Sequence, residues 1–383
     1  MRLVKRTLDQ IDPPVGVVDD LRGVLPGDDV LDVAQGAPAH PTAPSIVERV
    51  RETAAHPDGG KYTDGRGLPA LRDALADDLS EDYEAQILRE NVLITAGSNQ
   101  AFCLTASAIA EGGDEVILTT PFYFNHNMWI RLDGLRPVHV DTSPVTGQVT
   151  VDDIAGMITP ETRMILLTTP GNPTGVTASP DVIDEIADLA RAKDLVLVLD
   201  ETYRTFRAHR GPAHHLFQRP DWTEYFVSLH SFSKDFAIPG YRVGAVIGLP
   251  MLLDEVMKLM DCVAICAPRI GQEAALEGLR SAGEWRRDRA AEVAQKHERL
   301  RSAMSGSPGG FDLELSGGFY GWVRHPETNS ATDTVVRRLA EELGVLAISG
   351  EVFTPTDRGY LRVSYANLEL DEIDELARRL ARY

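Results

Sequence analysis

The sequence predicts an α/β protein with a three-layer large domain, in which helices cover both faces of a mainly parallel sheet. Short apolar or β-branched runs bounded by turn residues recur along the chain, as expected for strands buried on both faces. Amphipathic stretches of helical period separate these runs, and such alternation is typical of parallel sheets. The length of 383 residues allows two or three domains at roughly 150 residues each.

The predicted elements of the large domain follow in chain order. The strands are Val92–Thr95, Glu115–Leu118, Met164–Thr168, Leu195–Leu199, Phe226–Leu229 and Gly244–Ile247. The stretches Gln100–Ala110 and Pro180–Lys193 are predicted to be covering helices. A long helix with one charged side is predicted from about Gly271 to Met304, and the glycine-rich segment 305–310 ends it.

A smaller α+β domain is predicted from both ends of the chain. Strands are expected near Phe319–Val323 and Leu361–Ser364. This C-terminal part is too short for a core of its own, so we expect it to pack with the N-terminal segment. The predicted domains are a large one over 46–285 and a small one over 1–45 and 286–383.

Charge and cysteine usage exclude several classes of protein. Against 38 Lys and Arg stand 58 Asp and Glu, a net charge of −20, which disfavours nucleic acid and anionic membrane surfaces as partners. No stretch reaches the roughly 20 apolar residues of a membrane span, and the basic start lacks the apolar region of a secretory signal. The three cysteines, Cys103, Cys262 and Cys266, fit a reducing cytoplasm better than a disulfide framework, and no metal site is predicted.

The segment Ser228–Gly244 combines the groups that a phosphorylated ligand needs. Lys234 follows an apolar strand, and Arg242 stands eight residues later between two glycines. Hydroxyls, an amine and a guanidinium in one turn suit a phosphate ligand that also requires an amine nucleophile. Taken alone, the segment is equally compatible with a solvated surface loop.

Two further strand ends carry polar residues. Asp200 ends a strongly apolar strand, where open α/β sheets place their ligand crevice, and Tyr203 follows it. A carboxylate buried there requires a cation such as a protonated ring nitrogen, the alternative being a helix N-cap. Asn172 lies in Thr169–Gly175, where two prolines and two glycines restrict the loop, so a rigid amide donor is favoured over a plain turn.

A fourth segment, Ile94–Ala101, runs from a strand through Gly97, Ser98 and Asn99 into a helix. The free N–H groups of a helix start form an anion site, and two side-chain donors stand beside them. This signal is weak by itself.

Together these segments resemble the class I/II aminotransferases, fold-type-I enzymes that use pyridoxal 5′-phosphate (PLP). The motifs NPTG at 172–175, D-x-x-Y at 200–203 and S-x-S-K at 231–234, with arginine eight residues later, occur in the family's order. The resemblance extends from about Asp32 to Asn367. It implies the PLP-dependent transferase fold type I, PLP as cofactor, and a homodimer.

The resemblance also implies roles for individual residues. Lys234 would bind PLP covalently and carry the α-proton, and Asp200 would pair with the pyridine nitrogen. Tyr203 and Asn172 would hydrogen-bond the ring's 3-oxygen. The phosphate would be held by Gly97, Ser98, Asn99, Ser231 and Arg242, with Ser233 as a further donor.

Substrate and partner contacts follow from the same resemblance. Tyr123 would stack on the cofactor ring, with Phe122 as the second choice. Arg362 and Asn172 would bind the substrate, Arg362 through its α-carboxylate, and Gly36 would cover the substrate as backbone. Tyr62 would reach the PLP phosphate of the other subunit, which would make the homodimer obligatory.

Some positions depart from the family pattern. His126 and Asn127 are polar, and an exposed helix start is favoured there over contact with a polar substrate side chain. His40 and His230 are expected to be structural or rim residues. Asp235, directly after Lys234, is an unusual acid whose orientation the sequence leaves open.

The leading hypothesis is a PLP-dependent aminotransferase that moves an amino group between an L-α-amino acid and a 2-oxo acid by a ping-pong mechanism. The alternative is another PLP reaction on this scaffold, by a β-lyase, decarboxylase, cyclase or oxidase. A PLP-binding regulator would be expected to carry a basic helix-turn-helix extension, which residues 1–31 do not resemble. For an NAD-dependent oxidoreductase, Gly65–Ala70 fits the loose glycine pattern, but no apolar strand precedes it.

Overall fold

The computed structural model describes residues 3–23, 25 and 29–383. The helices of this part are α1 (Lys5–Leu8), α2 (Pro14–Arg22), α3 (Pro44–Ala55), α4 (Pro69–Asp82), α5 (Ser98–Ile109), α6 (Phe124–Leu132), α7 (Val151–Ala155), α8 (Pro180–Ala192), α9 (Phe232–Asp235), α10 (Pro250–Val263), α11 (Arg269–Ser281), α12 (Gly283–Met304), α13 (Thr332–Leu343) and α14 (Leu370–Leu380). The strands are β1 (Leu31–Asp32), β2 (Val92–Thr95), β3 (Glu115–Thr120), β4 (Arg136–Asp141), β5 (Thr162–Thr168), β6 (Val196–Asp200), β7 (Phe226–Ser231), β8 (Gly244–Ile247), β9 (Asp312–Gly317), β10 (Tyr320–Arg324), β11 (Val345–Leu346), β12 (Ile348–Ser349) and β13 (Tyr360–Ser364).

The main sheet has seven strands in the order β2-β8-β7-β6-β5-β3-β4. Strand β8 runs antiparallel to both of its neighbours, and every other pairing in this sheet is parallel. The parallel strands explain why the predicted strands are apolar along their whole length, since helices cover both faces.

Alternate residues of these strands enter two different cores. Ile165 and Leu197 pack into a core with residues of α3, α4, α8 and α11. Leu166 and Val198, one position later, face the opposite core, which contains residues of α5, α6 and α10. The predicted three-layer arrangement is therefore confirmed.

A second, antiparallel sheet has the order β12-β13-β10-β9, and β1 pairs in parallel with β11 through Leu31 and Val345. Its core joins N-terminal residues such as Val33 to C-terminal ones such as Trp322 and Leu376. The predicted small α+β unit from both chain ends is thus present. The boundaries at 45/46 and 285/286 stay a prediction.

One expectation was wrong, and five strands of the described residues were not predicted, namely β1, β4, β9, β11 and β12. The single long helix is two helices, α11 and α12, because Ala282 between them has non-helical backbone angles (φ −105°, ψ 24°) and Gly283 follows. Strand β4 was not predicted, because its residues are largely half-buried at the sheet edge and include Pro137. The eight predicted strands are confirmed, with their ends shifted by at most two residues.

The strand directions determine where a site can form. The carboxyl ends of β5, β6 and β7 bring Thr168, Asp200 and Ser231 to one edge of the main sheet. Among the described residues, no helix combines the length and apolar character that crossing a bilayer requires.

Candidate active site

A cavity of about 290 Å³ lies at this edge, between the main sheet, the start of α5 and the antiparallel sheet. Its wall includes most of the site residues predicted from the sequence, drawn from segments far apart in the chain. These are Gly36, Ser98, Asn99, Tyr123, Asn172, Asp200, Tyr203, Ser231, Ser233, Lys234, Arg242 and Arg362. The sequence prediction therefore selected residues that the fold brings together.

Lys234 presents its amine to the cavity from the single turn of α9, directly after β7. Its Nζ atom donates a hydrogen bond to the carbonyl oxygen of Gly36. Burial, helped by the positive charges of Arg362 and Arg242, lowers the pKa of the Lys234 amine to about 8. A substantial part of this amine is therefore neutral, and so nucleophilic, near physiological pH.

Asp200 is held from two sides. Its Oδ1 atom accepts hydrogen bonds from the Thr202 backbone N–H (3.0 Å) and hydroxyl (2.7 Å). Its Oδ2 atom lies 3.2 Å from Nε2 of His126. Only 4% of Asp200 is exposed, so its carboxylate is a buried, oriented acceptor beside the cavity.

The position of His126 corrects the expectation of an exposed helix start, because 2% of the residue is exposed. It lies on the inner side of α6, tilted against Phe102 with ring centroids 4.3 Å apart. Asn127, next along the helix, instead lies 3.0 Å through its Oδ1 atom from Nε2 of His139, and it does not line the cavity.

A group of hydroxyls and an amide forms another part of the wall. The Tyr203 and Tyr320 hydroxyl oxygens are 2.6 Å apart, and Nδ2 of Asn172 lies 3.5 Å from each. Burial, followed by the neighbouring Tyr320, raises the pKa of Tyr203 well above its usual value, so this phenol is a donor at neutral pH. Tyr320 was not predicted. The only sequence signal was its place as the second of two aromatic residues, Phe319 and Tyr320, that follow Gly317-Gly318 at the start of a predicted strand.

The start of α5 provides an anion site. Gly97, the residue before the helix, has φ +88°, and a Cβ at this position would lie 2.3 Å from Nη2 of Arg242. The Arg242 guanidinium therefore lies against the glycine, next to the first N–H groups of the helix, which have no partner within the helix. Ser98 and Ser231 add hydroxyls at the same end of the cavity.

Arg362 reaches the cavity from β13 of the antiparallel sheet. Its Nη1 atom donates to Oδ1 of Asn172 (3.1 Å), and its Nη2 atom donates to the Ala34 carbonyl. The guanidinium lies 4.7 Å from the centroid of the Tyr320 ring. Its Nε atom is buried and has no hydrogen-bond partner among the described residues, so the group retains a donor for a ligand.

Phe122 and Tyr62, two of the positions considered from the sequence, do not line the cavity. Tyr123 lines it, whereas Phe122 is buried elsewhere and stacks on His139 at 4.9 Å, which favours Tyr123 for stacking. Tyr62 is 72% exposed and is not part of the cavity wall. Its backbone oxygen accepts a hydrogen bond from Arg269.

Three remaining positions contribute to the protein interior. The Asp235 carboxylate is buried away from the cavity, 3.9 Å from Arg204, and burial raises its pKa. His230 lies 2.8 Å from the Ser228 hydroxyl and beside Glu201. His40 packs edge-on against Trp285 at 5.2 Å, in agreement with the structural reading of both histidines.

The donor set fits PLP. Four kinds of group line one cavity, and each suits a different part of PLP. The anion site at the start of α5 suits the phosphate, the Asp200 carboxylate the ring nitrogen, the Tyr203 hydroxyl and Asn172 amide the ring oxygen, and the Lys234 amine the aldehyde. The backbone at Gly36 packs so closely against Tyr320 that a side chain is excluded, since a Cβ there would lie 2.0 Å from the Tyr320 hydroxyl. Among the described residues, no cluster of three or more His, Cys, Asp or Glu side chains could hold a metal ion.

Comparison with known proteins gives consistent results. The model of the family "Aminotransferase class I and II" matches residues 28–380. An aspartate aminotransferase of Sulfolobus acidocaldarius is 28% identical over 92% of this chain and 90% of its own length. An arginine–pyruvate transaminase of Pseudomonas aeruginosa is 28% identical over 94% and 91%. A solved mutant of Thermus thermophilus aspartate aminotransferase has a TM-score of 0.89 and 25% identity, with full coverage of both chains.

Proposed function

This chain belongs to the class I and II aminotransferases and is an aminotransferase, and we propose that it works with PLP held by the residues of the cavity. It would move an amino group from an L-α-amino acid to a 2-oxo acid in two half-reactions. The observation that carries this proposal is the placement of the Lys234 amine and the Asp200 carboxylate on one cavity, with Arg242 and Arg362 also in its wall.

Binding of the cofactor would use the two polar ends of the cavity. Arg242, Ser98, Asn99, Ser231 and the Gly97 backbone would hold the phosphate at the start of α5, with Ser233 as a further donor. Asp200 would hold a proton on the ring nitrogen, while Tyr203 and Asn172 would donate to the ring oxygen. Tyr123 would stack on the ring. The buried position of Asp200 supports its part, since a protonated ring nitrogen would offset part of the cost of burying this carboxylate.

When bound, PLP supplies an electron sink conjugated to the α-carbon of the substrate. Lys234 would attach the cofactor through Nζ and, once released from it, accept and return the α-proton at that same atom. Its pKa of about 8 supports this role, because a base whose pKa is near the working pH serves in both directions.

Arg362 would bind the substrate carboxylate with two parallel hydrogen bonds, which a planar guanidinium provides and an ammonium does not. Asn172 and the Gly36 carbonyl would orient the remaining atoms. The unpartnered Nε of Arg362 and its 5% exposure support a ligand at this position.

The first experiment tests the cofactor. Adding PLP to the purified protein should give a visible absorbance, and borohydride should fix the cofactor to the peptide that contains Lys234. Lys234→Met should abolish both signals. Lys296→Met is the matched control, because this lysine is also buried and pairs with Glu292 at 2.8 Å outside the cavity. A colourless protein with Lys234 intact would end the proposal.

The second experiment tests the reaction. Under single-turnover conditions, amino acids should convert PLP to pyridoxamine phosphate and release one equivalent of oxo acid per site. Adding an oxo acid should then restore the absorbance of bound PLP. Release of ammonia, carbon dioxide or peroxide without this reversal would instead indicate a lyase, decarboxylase or oxidase. The relatives compared above are named as aspartate aminotransferases and an arginine–pyruvate transaminase, which favours transamination. They differ in the amino acid.

We further propose a homodimer in which Tyr62 reaches the partner's phosphate site. The exposed Tyr62 side chain supports this, and Arg269 holds its segment by donating to the backbone oxygens of Lys61 and Tyr62. Ile265, whose backbone oxygen would lie 3.5 Å from a Cβ at Gly65, is also 42% exposed. Sedimentation should give twice the chain mass, and Tyr62→Phe should weaken PLP binding about tenfold, the effect of losing one charge-assisted hydrogen bond.

Hybrid dimers give a sharper test of the shared site. Mixing inactive Lys234→Met chains with Tyr62→Phe chains creates one site with both changes and one site with neither. Recovery of tight PLP binding is expected in half of the sites of the hybrid dimers. If each chain supplies its own Tyr62, the hybrid sites keep the defects of their parents.

We also propose a cytoplasmic location, on the support of the cysteines. Cys103, Cys262 and Cys266 are all free, and such sparse thiols are typical of a reducing compartment. Cell fractionation with antibody detection would test the location directly.

A further inference from the structure

The cavity has a wall that neither the cofactor nor the substrate carboxylate accounts for. Lys234, Arg242 and Arg362 have proposed roles at the cofactor and at the α-carboxylate. The side chains left for a substrate's own side chain come from α2, the segment after β1, the start of α6 and strand β12: Val18, Asp19, Gln35, Ala37, Phe124 and Ile348. Of the described residues in this group, Asp19 is the one with a charge.

The charge of Asp19 is only partly neutralised. Its Oδ1 atom lies 3.4 Å from Nη1 of Arg22, and its side chain is 62% exposed. The same guanidinium makes a closer ion pair with Asp32, whose Oδ1 atom also accepts the Ala34 and Gln35 N–H groups at 2.9 and 3.2 Å. In the part of the chain that the structure describes, two carboxylates therefore share one cation, which leaves a net negative charge beside the cavity at Asp19.

This arrangement discriminates between substrate side chains. A second carboxylate, as in aspartate or glutamate, would meet a like charge and no spare cation among the cavity residues described for this chain. A methylene chain would instead contact Val18 and Ile348, which are 5% and 7% exposed. A terminal ammonium or guanidinium would gain Asp19 as its partner.

Resting on the proposed function, we infer that the amino donor is a basic L-α-amino acid with a long aliphatic side chain, such as lysine, ornithine or arginine, whose terminal cation Asp19 binds. Asp19 is then a specificity residue at the rim. It takes no part in the chemistry at Nζ of Lys234.

The test compares lysine with norleucine, which has the same four-carbon chain and no charge, and with glutamate. The wild-type holoenzyme should show the order lysine, norleucine, glutamate in kcat/KM. Asp19→Asn should reduce the lysine-to-norleucine ratio about two- to fivefold, the range for one exposed ion pair. Asp19→Lys should move the preference toward glutamate. Asp20→Asn is the matched control, because Asp20 lies on the same helix but does not line the cavity, and it should leave the ratio as in the wild type.

The possible outcomes distinguish a failure of the proposed preference for basic amino acids from a failure of the proposed PLP-dependent function. Preference for glutamate over lysine in the wild type, or an Asp19→Asn ratio equal to that of Asp20→Asn, overturns this inference and leaves the aminotransferase proposal standing. Absence of PLP absorbance, or of conversion with every amino acid, overturns the proposed function itself. Circular dichroism and PLP absorbance of each variant show whether it has folded.

Discussion

Nε2 of His126 lies 3.2 Å from Oδ2 of Asp200, on the side of the carboxylate opposite Thr202. The two oxygens of Asp200 thus have separate partners from different elements, α6 and the turn after β6. The plane of the carboxylate is fixed by the protein alone, so its orientation toward a ligand does not have to be established on binding.

Replacing His126 should therefore cost both stability and ligand affinity. His126→Phe leaves a buried carboxylate oxygen with one partner fewer, so we expect the free energy of unfolding to fall by about 1–3 kcal/mol. PLP affinity should fall about tenfold, equivalent to about 1.4 kcal/mol. Denaturant unfolding and PLP titration measure the two effects. Asn127→Ala, on the same helix but turned away from Asp200, should change PLP affinity little; equal losses in both variants would refute the role of His126.

The Tyr203–Tyr320 hydroxyl pair should behave as a unit. Each single change to Phe should lower kcat/KM about tenfold, because the remaining hydroxyl loses its partner at 2.6 Å. Contacting groups are non-additive by about 0.5–3 kcal/mol, so the double variant should lose clearly less than a hundredfold. Tyr365→Phe, which removes a hydroxyl that donates to Gly318 at 2.7 Å outside the cavity, should not affect kcat/KM. Strict additivity of the first two changes would show that the hydroxyls act independently.

Gly97→Ala should damage the phosphate end. The added methyl would lie 2.3 Å from Arg242, so the guanidinium must move. We expect PLP affinity to fall at least tenfold, measured by titration or by loss of cofactor on dialysis. Gly113→Ala is the control for backbone strain without displacement of Arg242. Gly113 also has a positive φ (+102°), but a Cβ there would have no described atom within 4 Å, so this variant should retain PLP. If both variants lose PLP equally, contact with Arg242 is not the cause.

The pKa of Lys234 predicts a pH dependence of stability in the cofactor-free protein. The folded value is about 8 against 10.5 for the ordinary amine, so between these pH values the unfolded state binds a proton that the folded state does not. The free energy of unfolding contributed by this group therefore rises with pH across that window, by about 3 kcal/mol at 1.36 kcal/mol per pKa unit.

The measurement is the difference between wild type and Lys234→Met in denaturant unfolding at pH 7.5, 9 and 10.5. Subtracting the variant removes the titration of the other groups, provided that they are common to both proteins. The wild type should gain stability relative to the variant as the pH rises. A constant difference would mean that the amine keeps its ordinary pKa in the fold.

The predictable part of the site is the part with a local signature. Lys234, Asp200 and Asn172 follow apolar strands, and in a parallel sheet the ends of such strands must meet. Tyr320 lacks such a signature, because its partner Tyr203 is 117 residues away in the chain. For His126, the polar residues on either side indicated an exposed helix start, although the face that a helix presents to the interior depends on the tertiary packing.

The same limit applies to the fold. Strands buried on both faces are continuous apolar runs and were found, while the edge strand β4 is half-polar and was not. The junction at Ala282 was hidden because alanine is the best helix former. The helices on its two sides contribute to different cores: α11 supplies Ala274 and Ala275 to the main-sheet core that also contains residues of α3, α4 and α8, and α12 supplies Val293 and Leu300 to the core of the antiparallel sheet.

Lys234 and Arg362 are attached to different sheets, one to β7 and the other to β13. Their separation is therefore a property of how two cores dock, and no single backbone segment fixes it. A substitution at the junction between the two domains, for instance on α12, could lengthen or shorten the distance between Lys234 and Arg362. It would then change which substrates are accepted, although the substituted residue contacts no substrate. Substrate selectivity in this molecule thus depends partly on how the two domains pack, and residues that contact no ligand can change it.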